Sequence, residues 1–391
     1  MSADAILDTN MNKSNEDSEL VVPDEVRLPQ IDNKEASVMK MLMDNYGLKV
    51  TSLKPLNGYD DLNYHVKTEP EYHNPHIDSH RPEGYFLKIS NLKDSQQPEM
   101  LHAQRSVMDH LIRKGIVCQE AIKGINGEVF TDITSLNKSG ETVTYAASLR
   151  TFLQGRVIAG TTLTANLLFQ FGVFTAQITD ALQTFRVPFY EKYDHLWNLS
   201  NLSKVSEVLF AVKDDKMRKM CEEVINSFET HVLAKRNTFR LALIHGDLNE
   251  HNVLIDTDPS SDSGLRISGL LDFQDCALSY PVYDIAIFIC YMLMTGHAEV
   301  PQEDVPGYML AGYNSVLKLP QAEKNALRIC IAARMVMSLV YGAYTYYLDP
   351  TNEYVLETAK FGWKALAQFW EADEQKLQDR WDEIINEYES K

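Results

Sequence analysis

Hydrophobic and polar positions follow two rhythms along this chain, and the change between them marks a boundary. Up to about residue 153, apolar residues come mostly in short runs bounded by turn formers, the pattern of strands. Ala36–Tyr46 predicts a helix, and Leu48–Leu56 and Leu62–Thr68 predict strands around Asn57–Asp61. Tyr85–Ser90 predicts another strand, Pro98–Lys114 a helix, and Val143–Phe152 a strand running towards a turn at Gly155. From residue 154 the helical period dominates: Thr162–Phe185, Lys216–Leu233, Pro281–Met294, Gln321–Tyr347 and Asn352–Trp370, then the charged amphipathic run Asp373–Tyr388. Three strand-like runs interrupt that half: Leu241–Ile244, Val253–Ile255 and Leu265–Leu271, the last two joined by the polar hairpin Asp256–Gly264. The expected fold is therefore α+β with two lobes: residues 35–153 form a small β-rich lobe and 154–391 a larger, mostly helical one. Residues 1–34, rich in Asp, Asn, Ser and Glu, read as a disordered tail.

Composition narrows the function. With 391 residues and 45% apolar content the chain can fill two cores. Its 37 basic against 55 acidic residues give a net charge of −18, which repels phosphate backbones and argues against nucleic acid as a partner. The same acidity suits a cationic small substrate. The five cysteines form no C-x-x-C pair and read as reduced core thiols. The N-terminal stretch has neither a basic region nor an apolar core of a signal peptide, so the expected location is cytoplasmic. Ile285–Met294 is too short to span a bilayer, and Ile329–Leu348 carries Arg334 inside it. Both read as buried helices, and no membrane is expected.

The chemistry concentrates in His245-Gly246-Asp247-Leu248-Asn249-Glu250-His251-Asn252 and in Asp272-Phe273-Gln274-Asp275 behind an apolar strand. The spacing is H-x-D-x4-N followed by D-F-x-D. Phosphoryl transfer from a nucleotide needs a carboxylate beside the acceptor hydroxyl and oxygen ligands for magnesium. Asp247 is placed to orient that hydroxyl and take its proton, and Asn252 and Asp272 to hold Mg2+, with His245 supporting the loop. Each residue taken singly also reads as a turn or strand-capping residue; the joint spacing favours the site. Glu250 and Asp275 lie close enough in sequence to favour ammonium groups on the acceptor.

Two charged residues sit where apolar ones are expected. Lys88 lies inside the strand Tyr85–Ser90, and a lysine there wants an anion; an edge-strand position is its other reading. Arg334 lies among Ile329, Met335, Val336, Leu339 and Val340. A buried arginine wants a carboxylate or a carbonyl fork, so it binds either a substrate carboxylate or a structural aspartate. The Pro-rich insertion Glu69–Gly84 carries His73, His76 and His80 and reads as a hairpin insertion, with a metal site as the alternative.

The pair of motifs H-G-D-L-N-x-x-N and D-F-x-D resembles the aminoglycoside phosphotransferase and choline kinase superfamily, which shares its fold with protein kinases. Gly246, where protein kinases usually have arginine, points to the small-molecule branch. Tyr283-Asp284-Ile285-Ala286 also resembles that branch, where this aspartate braces the catalytic loop; a helix N-terminal aspartate is its other reading. Within the branch the resemblance is strongest to the hydroxylysine kinases. It rests on Tyr59-Asp60-Asp61-x-Asn63, Leu87–Asn91, His245–Leu254 and Thr358-Ala359-Lys360-x-Gly362-Trp363-Lys364, and covers about residues 36–385.

The resemblance implies a protein-kinase-like fold and transfer of phosphate from GTP or ATP to the side-chain hydroxyl of 5-hydroxy-L-lysine, with Mg2+. The alternatives are a homoserine or amino-alcohol kinase and a non-catalytic pseudokinase. Asn57–Asp61 and Asn63 then occupy the place of the loop over the phosphates, although the run is also an ordinary Asn-Gly turn. Lys88 meets the α- and β-phosphates, and backbone groups around Thr151 and Leu153 meet the base. The helix Pro98–Lys114 should present the partner of Lys88, but the usual glutamate position falls on Gln104, with Glu99 as a substitute.

Overall fold

The computed structural model describes residues 28–58, 61–136, 140–261, 263–350 and 358–390. Most of the expected tail, Tyr59 and Asp60 of the expected phosphate loop, and the start of the helix expected over Asn352–Trp370 lie outside these residues. The chain divides into two compact units. One takes the described residues up to Ile112 together with Cys118–Gln154; the other takes Arg113–Val117 and Gly155–Lys391. The second unit thus includes 113–117, which the sequence pattern assigns to the first lobe.

The first unit is a six-stranded antiparallel sheet with helices. Helix α1 (Lys34–Tyr46) leads into β1 (Leu48–Leu56), which pairs with β2 (Leu62–Tyr72), and β2 with β3 (Tyr85–Ile89). Helix α2 (Leu92–Ser95) is one turn long, and α3 (Pro98–Arg113) follows it. The short β4 (Ala121–Ile122) and β5 (Thr131–Leu136) both pair with β6 (Thr142–Thr151), which also pairs with β3. Val38, Leu42, Tyr46, Val66, Leu87 and Leu149 are among the residues that fill the core between α1 and this sheet. The insertion Glu69–Gly84 extends β2 by a few residues and connects it to β3. Asn74 anchors this connection, donating to the Tyr46 and Lys123 carbonyls at 3.1 and 2.9 Å.

Residues 28–34, which the sequence pattern places in the tail, make contacts with the first unit. Ile31 is buried, Asp32 N donates to Ser135 Oγ at 2.9 Å, and Lys34 already begins α1. Polar composition hid this, because one buried isoleucine and two backbone bonds suffice to fix the segment.

The second unit holds two small sheets inside a helical shell. In one, β7 (Arg156–Val157) and β10 (Leu265–Leu270) flank β9 (Val253–Thr257); in the other, β8 (Ala242–Ile244) pairs with β11 (Ala277–Ser279). The helices are α4 (Ala165–Leu182), α5 (Asp215–His231), α6 (Pro281–Met294), α7 (Val305–Val316), α8 (Gln321–Leu348), α9 (Ala359–Glu371) and α10 (Glu374–Glu389). Helix α8 is long and apolar enough to cross a membrane, but most of it is buried inside the unit. Every residue of α6 is buried, as its continuous apolar run requires.

Helix α7 has no counterpart in the sequence reading, because Pro306, Gly307 and Gly312 resemble loop residues. Its glycine serves packing: a Cβ on Gly312 would stand 1.9 Å from the Phe169 carbonyl, and one on Gly172 would stand 1.8 Å from that of Met309. Two glycines let α4 and α7 cross backbone to backbone.

Candidate active site

The buried strand β8 delivers the chain into the loop that carries the first motif. Gly246 turns it there with φ of 83°, and a Cβ would stand 2.1 Å from the Asp275 carbonyl oxygen, so only glycine fits. Asp284, on the first turn of α6 and 1% exposed, accepts the amides of His245 and Gly246 at 2.9 and 2.8 Å. Burial pushes its carboxyl up, and those amides oppose the shift. His245 ties the two motif segments together. Its Nε2 donates to the Leu271 carbonyl at 3.1 Å, and its Nδ1 accepts from the Asp247 amide at 3.3 Å. Leu271 N in turn donates to the Asn252 carbonyl at 2.8 Å.

Among the described residues, every hydrogen bond of the Asp247 carboxylate comes from a side chain. Oδ2 accepts from Asn249 Nδ2 and Asn252 Nδ2, each at 2.8 Å, and Oδ1 accepts from Arg334 Nη2 at 2.7 Å. Asn252 Nδ2 also donates to the Asp247 carbonyl at 2.9 Å. Both amide protons of Asn252 are thus used inward, and its Oδ1 carries no hydrogen bond among the described residues. Asp272 follows β10 in the left-handed region with φ of 55°, a conformation that costs a non-glycine residue about 1–3 kcal/mol and concentrates at functional sites. Its Oδ1 accepts from Gln274 N at 3.2 Å. Asn252 Oδ1 and the Asp272 carboxylate offer the hard oxygens that Mg2+ takes, so the donor set fits that ion.

Arg334 departs from the expected substrate role. It is 1% exposed in the middle of α8, and its two terminal nitrogens meet Asp247, the Tyr291 hydroxyl at 3.1 Å and the Trp197 carbonyl at 3.2 Å, while its buried Nε has no hydrogen-bond partner among the described residues. Burial alone would depress its basicity; Tyr291 and Asp247 outweigh that and keep it charged. The structural-aspartate reading therefore replaces the substrate-carboxylate one, and that aspartate is Asp247 itself. The sequence shows an arginine on an apolar face but not which acid it meets.

Glu250 has a buried Oε2 with no hydrogen-bond partner, and burial raises its carboxyl to about 7, with the Asp247 charge adding to the rise. Asp275 is partly exposed, and its Oδ1 lies 3.6 Å from His195 Nδ1. Both carboxyls lie beside the Asp247 loop, and burial favours the protonated form of Glu250.

In the first unit, Lys88 Nζ pairs with Asp61 Oδ2 at 2.7 Å, both nearly buried. Asp61, from the run before β2, is thus an ion-pair partner of Lys88 that the sequence reading did not name. Gln104 is buried on α3 with its Nε2 unpartnered, and Glu99 lies on the first turn of α3. Asp61 was already visible in the Tyr59-Asp60-Asp61-x-Asn63 run, but nothing local marks it as a lysine partner. Asn63 stands opposite Lys88 in the β2–β3 register, and its Nδ2 donates to the Asn57 carbonyl at 3.1 Å. Thr151 departs from expectation: its amide donates to the Glu120 carbonyl at 2.8 Å and its hydroxyl accepts the Glu120 amide at 2.9 Å. The residue before β4 therefore consumes those two groups. Leu153, just past β6, keeps a backbone amide and carbonyl that make no hydrogen bond within the described residues.

Residues 52–313 match the model of the phosphotransferase enzyme family, and the chain belongs to that family. It is a kinase that phosphorylates a hydroxyl acceptor from a nucleotide donor. Its relatives include the hydroxylysine kinase of Xenopus laevis, 34% identical over 362 residues, which span 90% of this chain and 94% of that one. The hydroxylysine kinase of Mus musculus is 32% identical and spans 91% and 94%. Among solved structures, an amicoumacin kinase in complex with AMP-PNP, Ca2+ and Ami aligns over 88% of this chain and 99% of that one, with a TM-score of 0.60 at 14% identity. A microcompartment-associated aminopropanol kinase aligns over 86% and 97%, with a TM-score of 0.58 at 15% identity. These two likenesses establish the kinase-like α+β fold.

Proposed function

We propose that the chain transfers the γ-phosphoryl group of GTP or ATP to the side-chain hydroxyl of 5-hydroxy-L-lysine, giving 5-phosphohydroxylysine and the nucleoside diphosphate. The observation that carries a transfer reaction is the held carboxylate of Asp247. A carboxylate oxygen accepts about two hydrogen bonds. Oδ2 already has its two, from Asn249 and Asn252, whereas Oδ1 has one, from Arg334. Oδ1 is therefore the atom with room for the acceptor hydroxyl. The hydroxyl oxygen forms a bond to the γ-phosphorus, the bond from that phosphorus to the β,γ-bridging oxygen breaks, and the diphosphate leaves with the electron pair. The hydroxyl proton passes to Asp247 Oδ1.

Asn252 Oδ1 and Asp272 would hold Mg2+, which when bound offsets charge on the phosphate oxygens. Lys88 supplies positive charge for the α- and β-phosphates, and the amide and carbonyl of Leu153 suit the edge of a base. Nothing about a backbone pair prefers guanine over adenine; GTP is what the hydroxylysine-kinase likeness suggests. The intact set Lys88, Asp247, Asn252 and Asp272 speaks against a non-catalytic binding role.

Hydroxylysine as the acceptor is supported by likeness to hydroxylysine kinases over nine-tenths of the chain. Glu250 and Asp275 beside the Asp247 loop suit its ammonium groups. A second reading, an amino alcohol as the acceptor, is favoured by the engagement of Arg334 with Asp247, which removes that arginine from carboxylate binding. Five free, buried cysteines support a cytoplasmic setting. Phosphate transfer to hydroxylysine, homoserine and choline, each with GTP and with ATP, tests the proposal. Choline as the favoured acceptor would establish the second reading.

A further inference from the structure

Arg334 is the strongest charge in contact with Asp247, and it comes from outside the loop. Between His245 and Asn252 there is no lysine or arginine, and the residue two places after Asp247 is Asn249, an amide. The cation beside the carboxylate is instead supplied by α8, 87 positions further on. Trp197 and Tyr291 flank the guanidinium, their ring centroids 5.1 and 5.4 Å from its central carbon. The Trp197 carbonyl and the Tyr291 hydroxyl occupy further donors of the fork. A planar group fixed on two sides and hydrogen-bonded to three partners has one orientation, and an ion pair shielded from water is stronger for it.

The division of labour on Asp247 follows. Asn249 and Asn252 fix Oδ2, and Arg334 fixes Oδ1, the oxygen with room for the acceptor hydroxyl. The torsion about Cβ–Cγ is soft and turns both carboxylate oxygens together, so the Arg334 contact on Oδ1 narrows a rocking of the whole group that the two amide contacts on Oδ2 still permit. We propose that Arg334 is a positioning residue for phosphoryl transfer: it sets the direction of Asp247 Oδ1 and does not bind the acceptor. This rests on Asp247 as the group that takes the hydroxyl proton.

The test uses full-length Arg334→Met, Arg334→Lys, Asp247→Asn and the double variant Arg334→Met/Asp247→Asn. Arg334→Met should lower kcat about 10^2-fold, the size of effect that a misplaced catalytic group produces, with the KM values of donor and acceptor unchanged. Arg334→Lys should recover part of the loss, because charge returns without the planar fork. In the Asp247→Asn background, Arg334→Met should cost nothing more, since the two act through one group. The double variant removes both charges and leaves neither buried alone, so it folds even if Arg334→Met is unstable. Full additivity of the two losses, or a raised acceptor KM with kcat kept, would overturn the proposal. A crystal structure of Arg334→Lys or Arg334→Met gives a readout that needs no acceptor. A turned Asp247 carboxylate supports the proposal and an unmoved one overturns it, whatever the acceptor panel shows about hydroxylysine.

Discussion

Asp284 receives two consecutive amides on two different oxygens, His245 N on Oδ2 and Gly246 N on Oδ1. One buried side chain thereby sets the backbone at the entrance of the Asp247 loop from the first turn of α6. Replacing Asp284 with Ala leaves two buried amides without an acceptor, each worth about 1–3 kcal/mol. A loss of about 2–6 kcal/mol follows, and turnover should fall with it because Asp247 is the next residue. Urea unfolding and activity on the same Asp284→Ala sample measure both. Wild-type stability would mean that the loop holds itself.

Asp247→Asn should keep the fold and nucleotide binding while kcat drops about 10^2- to 10^4-fold, the usual contribution of a general base. The amide is close in shape but cannot accept the hydroxyl proton. It also leaves Arg334 buried with a weaker partner, so a modest stability loss should accompany the kinetic one. Turnover at the wild-type rate would remove Asp247 from the proton-accepting role.

Asn252→Ala and Asp272→Ala should each raise the magnesium concentration needed for half-maximal rate, and Asp272→Ala should raise it more. An anionic oxygen holds Mg2+ more strongly than an amide oxygen, and the ion takes few protein ligands. Asn252→Ala should also cut kcat at saturating magnesium, because Asn252 Nδ2 holds Asp247 as well. Magnesium titrations of both variants check this, and unchanged midpoints in both would remove the ligand assignment.

Glu250 gives stability a pH dependence of known sign. Burial raises its carboxyl from the ordinary 4.5 to about 7, so the folded protein binds this proton more tightly than the unfolded chain does. Its contribution favours folding at low pH and is lost as pH rises from about 4.5 through about 7. Glu250→Gln should therefore be more stable than wild type above that window and nearly equal to it below. Urea midpoints on either side of the window decide, and parallel curves for the two proteins would contradict the assignment.

How much of this was legible in the sequence depended on how local each feature is. The loop from His245 to Asn252 carries its own spacing, and Asp284 follows at the head of an unmistakable apolar helix, so these positions could be read directly. The two ion pairs that hold the key side chains could not. Lys88 and Arg334 both announce themselves as charges on apolar elements, but periodicity says only that each needs a partner. Lys88 finds Asp61 across a strand pair, and Arg334 finds Asp247 across the second unit. Thr151 differs from its expected place for the same reason, since its amide and hydroxyl are taken by Glu120 on a neighbouring segment with no strand-like pattern of its own. Helix α7 was hidden because the glycine that makes its close crossing with α4 possible is also the residue that argues against a helix.

The most direct measurement of the account is the rate of phosphate transfer by the wild-type protein to 5-hydroxy-L-lysine and to L-lysine at equal concentration, with Mg2+ and GTP or ATP. The two acceptors differ by one hydroxyl, the atom that the open position on Asp247 Oδ1 is proposed to receive. Sites built around a hydroxyl discriminate strongly against its absence. The account predicts stoichiometric formation of phosphohydroxylysine and nucleoside diphosphate with hydroxylysine, and no phosphorylated product with lysine. Nucleotide binding without transfer to hydroxylysine, or equal nucleotide consumption with both acceptors, would contradict it.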